Sequence, residues 1–510
     1  MKRSALILLL SVITLSANDC PGQIRLASLF GDNMVIQRDC PVPMWGWADP
    51  GQDIRITCAE RCWQTKAGKD GRWMTKIGPF EAGGPYELTI QGQNSLALEN
   101  VLAGEVWLCS GQSNMEMPVA GAKNAGSQID AADYPGIRLF RVSKDLATVP
   151  RADCFGRWKV CTPDTVADFS AVAYYFGRKI HQDVNVPVGL IDNSWGGSIA
   201  ECWVSRDTIY EDPDLTSVKK FYEQRLVSPE MYDLLTHAEQ QRSRLQWQRY
   251  QSLEFTEMPR AVRRNKTRHS PTLLYNAMLK PLMPYRIRGV IWYQGEGNRG
   301  RACEYYPLFR ALIKNWRAQW QQGDFPFYYV QLANFDQPGS SEKSRLAWPE
   351  LRQAQFETLS VKNTGMAVTV DIGDPGNVHF ANKQDVGKRL ALWALAGTYS
   401  RYIVYSGPLF ESSRKENNRI ILSFDHVDGG LATRGNQPLK GFQIAGADRV
   451  FVEAQARIEA DKVVVKSPRI DDPVAVRYGW TDNPQGNLYN AAGLPASPFK
   501  TDNWPGLTCE

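Results

Sequence analysis

The chain has 510 residues, of which 43% are hydrophobic and 22% are charged, a composition typical of a globular protein with more than one domain. Its formal net charge of +5 is small for this length, and the basic residues are not concentrated in one stretch. Because a nucleic-acid interface needs a concentrated basic face, the sequence does not support nucleic acid as a partner.

The N-terminus has the pattern of a secretory signal: Met-Lys-Arg, a short apolar run, and the small residues Ser-Ala-Asn. We therefore expect residues 1–18 to be removed and the protein to be exported, as a periplasmic or secreted protein. No later apolar run is long enough to span a membrane. Cys20 follows the signal, but Asp19 does not match the small residue expected before a lipidated cysteine, so the sequence does not favour a lipid anchor.

Short strand patterns fill residues 19–100. Runs such as Met34–Gln37 and Asp53–Thr57 are separated by turn sequences such as Asp-Pro-Gly and Lys-Asp-Gly. Strand patterns at this spacing predict a small N-terminal domain resembling a β-sandwich.

Strand and helix patterns alternate over residues 101–402, for example in the strand Gly289–Tyr293 and the helical periodicity of residues 168–181. This alternation predicts an α/β domain with a parallel sheet covered by helices on both faces. The charged residues 209–270 are predicted to form a helical insertion on its surface. Strand patterns then return, and they predict a β-rich C-terminal domain over residues 403–510.

The ten cysteines lack the spacing of a zinc site and no other metal motif is present, so neither a metal nor another cofactor is expected. Cys154 and Cys161 lie close together in a loop-like stretch. Because the chain is expected to reach an oxidising compartment, we predict a disulfide between them.

Four polar loops follow predicted strands of the α/β domain, at the edge of the sheet where open parallel sheets bind ligands. They contain polar residues that a hydrophobic core does not need: Gly111–Asn114, Ser194–Gly197, Gln294–Glu296 and Asp371–His379. A serine needs a base within hydrogen-bond reach to act as a nucleophile. Of the five histidines, His379 alone follows a predicted sheet strand and precedes a helix, so it is the candidate base for Ser113.

Three groups in these loops are candidate donors to a developing oxyanion. They are the backbone N–H of Ser113, a backbone N–H of the pair Gly196 and Gly197, and the side-chain amide of Gln294. The loops therefore predict acyl-transfer chemistry.

The order of these motifs resembles a known family. Gly-Gln-Ser-Asn-Met after a strand, Ser-Trp-Gly-Gly, Trp-Tyr-Gln-Gly-Glu, and an Asp…His pair before Asn-Lys-Gln are similar to the sialate O-acetylesterases, a branch of the SGNH serine hydrolases. The resemblance runs from about Ile24 to the C-terminus and implies an SGNH (flavodoxin-like) sheet. It implies Ser113 as nucleophile, His379 as base, and an oxyanion hole formed by Ser113, Gly197 and Gln294.

The orienting acid is not settled by the resemblance. Many SGNH enzymes have Asp three residues before the histidine, but Gly376 stands at that position, and Asp371 and Asp374 both remain candidates. Other motif residues are expected to contact the substrate or to support the site: Gln112, Asn114, Gly196, Glu201, Glu296 and Asn298.

The implied activity is a serine esterase that removes O-acetyl groups from carbohydrate, with 9-O-acetylated sialic acids as substrates and an acetyl-serine intermediate. An esterase acting on acetylated xylan or another plant glycan is an alternative. A non-catalytic secreted carbohydrate-binding protein is an alternative of another class. The presence of both Ser113 and His379 argues against it, and hydrolysis of 4-nitrophenyl acetate would distinguish the two classes.

Overall fold

The computed structural model describes residues 23–225, 269–336 and 341–509. The predicted signal, Cys20 and residues 226–268 of the predicted insertion lie outside this part of the chain. In the described residues, no helix is both long and apolar enough to cross a membrane.

Strands and helices are numbered in chain order. The strands β1–β24 are Arg25–Leu26, Val35–Gln37, Val42–Trp47, Asp53–Cys58, Arg61–Lys66, Arg72–Ile77, Gly83–Gln91, Ser95–Gly111, Tyr134–Arg141, Trp158–Cys161, Val188–Ser194, Gly289–Tyr293, Phe327–Val330, Thr364–Ala367, Leu409–Glu416, Arg419–Asp425, Leu431–Thr433, Phe442–Ala445, Val452–Glu453, Gln455–Glu459, Lys462–Lys466, Ala475–Tyr478, Leu488–Asn490 and Phe499–Lys500. The described α-helices α1–α9 are Ser113–Glu116, Ala125–Asp130, Pro163–Val166, Ala171–Val184, Arg206–Glu211, Thr216–Arg225, Tyr305–Trp320, Glu342–Glu357 and Lys383–Gly397.

The central sheet has the main strand order β10-β9-β11-β8-β12-β13-β14. Neighbouring strands are parallel except for β10, which pairs antiparallel with β9, so the sheet is mixed. Numbered in chain order, the six parallel strands β9, β11, β8, β12, β13 and β14 lie in the order 2-3-1-4-5-6, and without β9 the remaining five lie in the order 2-1-3-4-5. The chain passes from β11 on one side of β8 to β12 on the other, so the topological switch point lies at the end of β8.

Helices cover both faces of this sheet. The strands β11 and β12 are buried at every residue, as expected for strands enclosed on both sides. Trp107 of β8 pairs with Gly289 of β12 and contacts Phe176 of α4. Trp292 lies three residues after Gly289 in β12 and contacts Phe309 of α7. Since side chains alternate between the two faces, α4 and α7 lie on opposite sides. The α/β prediction is confirmed at this level.

The strand β8 joins the N-terminal strands to the central sheet. Its first part pairs with β7, and its last part pairs with β11 and β12. The predicted domain boundary after residue 100 therefore lies inside a strand. The hydrophobic core is shared as well, because buried side chains from Ile24 to Leu409 form a single cluster.

A second core lies in the C-terminal region, where buried side chains from Ile420 to Phe499 form their own cluster. Two four-stranded antiparallel sheets, β15-β16-β21-β20 and β19-β18-β22-β24, enclose it together with the pair β17-β23. Alternating apolar residues in β16 and the apolar centre of β21 supply much of this core.

The predicted disulfide is wrong in this structure, where Cys154 and Cys161 are two separate buried thiols. Cys161 ends β10, and its Sγ lies 4.0 Å from the carbonyl oxygen of Ala132. Burial raises the pKa of both thiols, that of Cys161 to about 12. Both side chains therefore behave as small hydrophobic groups of the core.

Candidate active site

The end of β8 brings Ser113 to the edge of the sheet. The strand ends at Gly111, and Ser113 is the first residue of the short helix α1. A Cβ atom at Gly111 would lie 2.1 Å from the carbonyl oxygen of Tyr293, and its φ of +139° is favourable only for glycine. Glycine therefore allows β8 and β12 to approach closely just before the serine.

His379 lies beside this serine. It comes from the loop between β14 and α9, and its Nε2 is 2.8 Å from Ser113 Oγ. Ser113 is half-buried and His379 is exposed, so the pair can be reached from solvent. The structure thus brings together the two residues that the sequence predicts as nucleophile and base, at the distance required for proton transfer.

Neither predicted aspartate binds the histidine ring. Asp371 forms a two-pronged ion pair with Arg389, with distances of 2.5 and 2.8 Å. Asp374 Oδ1 accepts a hydrogen bond from the Gly376 N–H within its own turn. In the described residues the His379 ring forms one hydrogen bond, to Ser113. The prediction that Asp371 or Asp374 orients His379 is therefore not supported by the geometry, because both carboxylates bind other groups.

Glu296 is the buried acidic group beside the serine turn. Burial raises the pKa of Glu296, while the side chain of Asn114 and the charges of Lys383 and His379 act in the opposite direction. Asn114 Nδ2 donates to Glu296 Oε1 at 2.5 Å and to the Val378 carbonyl at 3.0 Å. Asn114 thus links the serine turn, the carboxylate and the backbone just before His379.

The buried lysine Lys383 completes this network, since its Nζ donates to Asn114 Oδ1 at 2.6 Å. Burial lowers the pKa of Lys383 to about 7, against the opposing charge of Glu296. Glu296 Oε2 is shielded from solvent and has no hydrogen-bond partner in the described part of the chain. Lys383 is the lysine of the Asn-Lys-Gln motif, but the sequence analysis gives it no role in the site. A lysine in the first turn of a helix opposes the helix dipole, and that signal could have identified it.

Gln294 is not available as an oxyanion donor, contrary to the prediction. Its fully buried amide donates to the Ser198 carbonyl at 3.2 Å and to Asn298 Oδ1 at 2.7 Å. The Tyr305 hydroxyl donates to its Oε1. Both amide hydrogens are thus used in holding the loops that follow β11 and β12.

The glycine pair after β11 lies against the serine. A Cβ atom at Gly196 would lie 3.4 Å from Ser113 Cβ, and the Gly196 N–H donates to Glu116 Oε2. This leaves Gly197, with φ +76°, as the glycine whose N–H is free in the described structure; the Ser113 N–H is also free there. Glu116 was missed by the sequence analysis, although it stands one helical turn after Ser113.

The remaining predicted residues support the loops. Gln112 Oε1 accepts the Gly297 N–H at 3.0 Å, beside the serine. Asn298 Nδ2 donates to Glu201 Oε2 at 2.9 Å, and both side chains are buried. Asn298 and Glu201 therefore hold the two loops together. No group of three or more His, Cys, Asp or Glu that could hold a metal occurs in the described residues.

Comparison with known proteins gives consistent matches. Residues 244–396 match the family model described as carbohydrate esterase, sialic acid-specific acetylesterase. The sialate O-acetylesterase of Mus musculus is 30% identical over 93% of this chain and 94% of its own length, and that of Homo sapiens is 29% identical over 94% of each. A carbohydrate acetylesterase from Xanthomonas citri, known from its crystal structure, is 36% identical with a TM-score of 0.82. That match covers 94% of this chain and 100% of the other.

Proposed function

This chain belongs to the sialate O-acetylesterase family and is a carboxylic ester hydrolase, and from that premise we propose that Ser113 is its nucleophile. In this proposal an SGNH-type site removes O-acetyl groups from sialic acids, with 9-O-acetylated forms as the main substrates. The observation that carries it is the 2.8 Å hydrogen bond between His379 Nε2 and Ser113 Oγ at the switch point of the sheet.

The reaction is acyl transfer in two steps. His379 Nε2 takes the proton from Ser113 Oγ as the oxygen attacks the acetyl carbonyl. The imidazolium then gives this proton to the departing sugar oxygen, which leaves an acetyl-serine. Water, deprotonated by the same nitrogen, releases acetate and restores the serine. Each proton moves through one nitrogen atom, so the reaction needs no further acid or base.

The negative charge that develops on the carbonyl oxygen is stabilised by backbone N–H groups. The N–H groups of Ser113 and Gly197 serve this role, because Gln294 and the Gly196 N–H are already bonded elsewhere. Glu116 holds Gly196 and so fixes the position of the neighbouring Gly197 N–H.

Glu296 is the positioning residue in this proposal. A buried carboxylate close to His379 favours the imidazolium that forms during proton transfer. Asn114 and Lys383 bind one another and keep this carboxylate in place. Asp371 and Asp374 are not assigned a role in catalysis.

The test is the Ser113→Ala variant. Acetate release from an O-acetylated sialic acid should fall about 10³-fold or more, because the nucleophilic oxygen is lost. Unfolding free energy should change by less than about 1 kcal/mol, since one partly exposed oxygen is removed from a turn. A folded variant that keeps more than a tenth of the activity contradicts the proposal.

The substrate is tested separately with wild-type protein. Acetate release is compared for O-acetylated sialic acids, acetylated xylan and 4-nitrophenyl acetate. A higher kcat/KM for acetylated xylan than for sialic acids would favour the plant-glycan alternative. Activity towards none of the three would favour a carbohydrate-binding protein without catalysis.

A further inference from the structure

A cavity of about 410 Å³ lies between the loop that follows β14 and the C-terminal β region. Asp371 and Pro375 of the loop line one side of it. Arg434, Lys440 and Tyr489 line the other side. The cavity is therefore formed by two regions of the chain that have separate hydrophobic cores.

The charges around this cavity are unbalanced. Asp371 is neutralised by its two-pronged ion pair with Arg389. Arg434 and Lys440 form no ion pair with an acidic side chain in the described residues. The cavity therefore has an excess of positive charge, which favours an anionic group.

The guanidinium of Arg434 is held in place before any ligand arrives. Its Nη1 donates to the Tyr489 hydroxyl at 3.2 Å, and this hydroxyl donates to Asp371 Oδ2 at 3.3 Å. Arg389 in turn fixes Asp371. A fixed guanidinium loses little conformational freedom when it binds a carboxylate, and it can do so through two hydrogen bonds.

Asn334 and Asn483 form part of the cavity wall. Asn334 is 9% exposed, and its Oδ1 has no hydrogen-bond partner in the described structure. Its Nδ2 donates to Asn483 Oδ1 at 3.1 Å. Because Oδ1 is closed off from solvent, Asn334 is part of the cavity wall and does not contact a ligand through this atom.

The cavity lies beside the catalytic pair and not at it. Pro375 and His379 are four residues apart in one loop, at most about 14 Å of chain. Arg389, which fixes Asp371, lies six residues after Lys383, or about 9 Å along α9. Lys383 contacts Asn114, the residue after Ser113. A glycan could therefore occupy both places with different sugar units.

We propose that this cavity binds a carboxylate-bearing sugar unit next to the unit that is deacetylated at Ser113. Arg434 and Lys440 bind the carboxylate. This inference rests on the proposed carbohydrate esterase function. It assigns Asp371 a role in holding the cavity wall instead of orienting His379.

The experiment measures sugar binding to the full chain carrying Ser113→Ala, so that no turnover occurs. Glucuronic acid and glucose are the probes, because the two rings differ only in the carboxylate. Calorimetric titration should show glucuronic acid binding about tenfold or more tightly than glucose. Arg434→Gln in the same background should remove this preference. Lys462→Gln, which removes an exposed charge on β21, should leave it unchanged.

Equal affinity for the two sugars overturns the proposal, as does absence of binding in the millimolar range. A preference that survives Arg434→Gln together with Lys440→Gln also overturns it. Failure of the proposed function is recognised differently, by retained esterase activity in Ser113→Ala. The binding result does not depend on that activity.

Discussion

At the scale of single residues, the position of each carboxylate decides which one can influence the histidine. Asp371 is tied to Arg389 and Tyr489, and Asp374 caps the turn before Gly376. Glu296 is held by Asn114, whose other hydrogen bond reaches the backbone next to His379. Glu296 is therefore the carboxylate that is linked through Asn114 to both the serine turn and the backbone before His379.

The variant Glu296→Gln tests this assignment. Gln keeps the oxygen that accepts from Asn114 but removes the charge, so turnover should fall about 10²-fold or more. Steady-state kinetics measures this effect.

The matched variant is Asp374→Asn. It preserves the acceptor for the Gly376 N–H, and its turnover should stay within tenfold of wild type. The opposite result would contradict the assignment of Glu296 as the positioning residue. In that result, Asp374→Asn or Asp371→Asn lowers turnover about 10²-fold and Glu296→Gln does not.

Ser113 and His379 were predictable because each follows a buried strand and has no role in a core. Gln294 illustrates why the oxyanion donors were not. It also follows a strand, but its amide is used by Ser198 and Asn298. These partners lie 96 residues before it and four residues after it, and the sequence alone does not show that they meet at one amide.

At the scale of elements, β8 determines where the serine lies. Its last residues pair with β11 on one side and with β12 on the other, and the Gln112 N–H donates to the Tyr293 carbonyl at 3.0 Å. The position of α1 therefore depends on the close contact between Gly111 and Tyr293.

Gly111→Ala should destabilise the protein and inactivate it. Its Cβ would lie 2.1 Å from the Tyr293 oxygen, and the φ of +139° is unfavourable for alanine. We expect a loss of about 3 kcal/mol or more in unfolding free energy, measured by urea unfolding, and a fall in turnover as the serine turn moves.

Gly126→Ala is the control for this substitution. Gly126 lies in α2, and a Cβ atom there would have no heavy atom within 4 Å. Replacing this glycine with alanine should leave the unfolding free energy unchanged or raise it by up to about 1 kcal/mol, since alanine favours the helix. Equal losses in both variants would show that the close approach of β8 and β12 is unimportant.

The strands with continuous apolar sequence were the ones that the sequence predicted well, such as β11 and β12. The full length of β8 was not predictable. Asn100 within it has φ +54°, and the sequence around it reads as a turn between two regions. Pairing with β7 on one side and β11 on the other keeps the strand continuous. These tertiary contacts override the local preference.

At the scale of the whole molecule, the two hydrophobic cores divide the chain differently from the sequence patterns. The patterns suggest three regions, but the N-terminal strands and the α/β region share one core. The C-terminal strands have their own core. Composition cannot reveal this division, because it depends on which buried faces meet. A change at the contact between the N-terminal strands and the sheet should therefore affect the stability of both.

Glu105 is the side chain at that contact. It is completely buried in β8 and binds Arg38 from the N-terminal region at 2.5 Å, Arg288 before β12 at 2.5 Å, and the Tyr399 hydroxyl after α9 at 3.1 Å. Burial alone would raise its pKa, but the hydrogen bonds and charges of Arg288 and Arg38 outweigh burial and lower the pKa below 4.5. Glu105 therefore stabilises the fold as a charged group.

Glu105→Gln should cost about 3–5 kcal/mol of unfolding free energy at pH 7, because two arginines lose their buried partner. A carboxylate with a lowered pKa stabilises the folded state fully above its unfolded pKa of about 4.5, and this contribution disappears as the pH falls through its folded pKa. The difference between wild type and variant should accordingly shrink below about pH 4.5. Asp53→Asn, at the exposed pair with Lys66, should cost less than about 1 kcal/mol. Urea unfolding at several pH values measures the unfolding free energy of the wild type and of both variants. A loss for Glu105→Gln no larger than that for Asp53→Asn would show that apolar packing alone holds the N-terminal strands to the sheet.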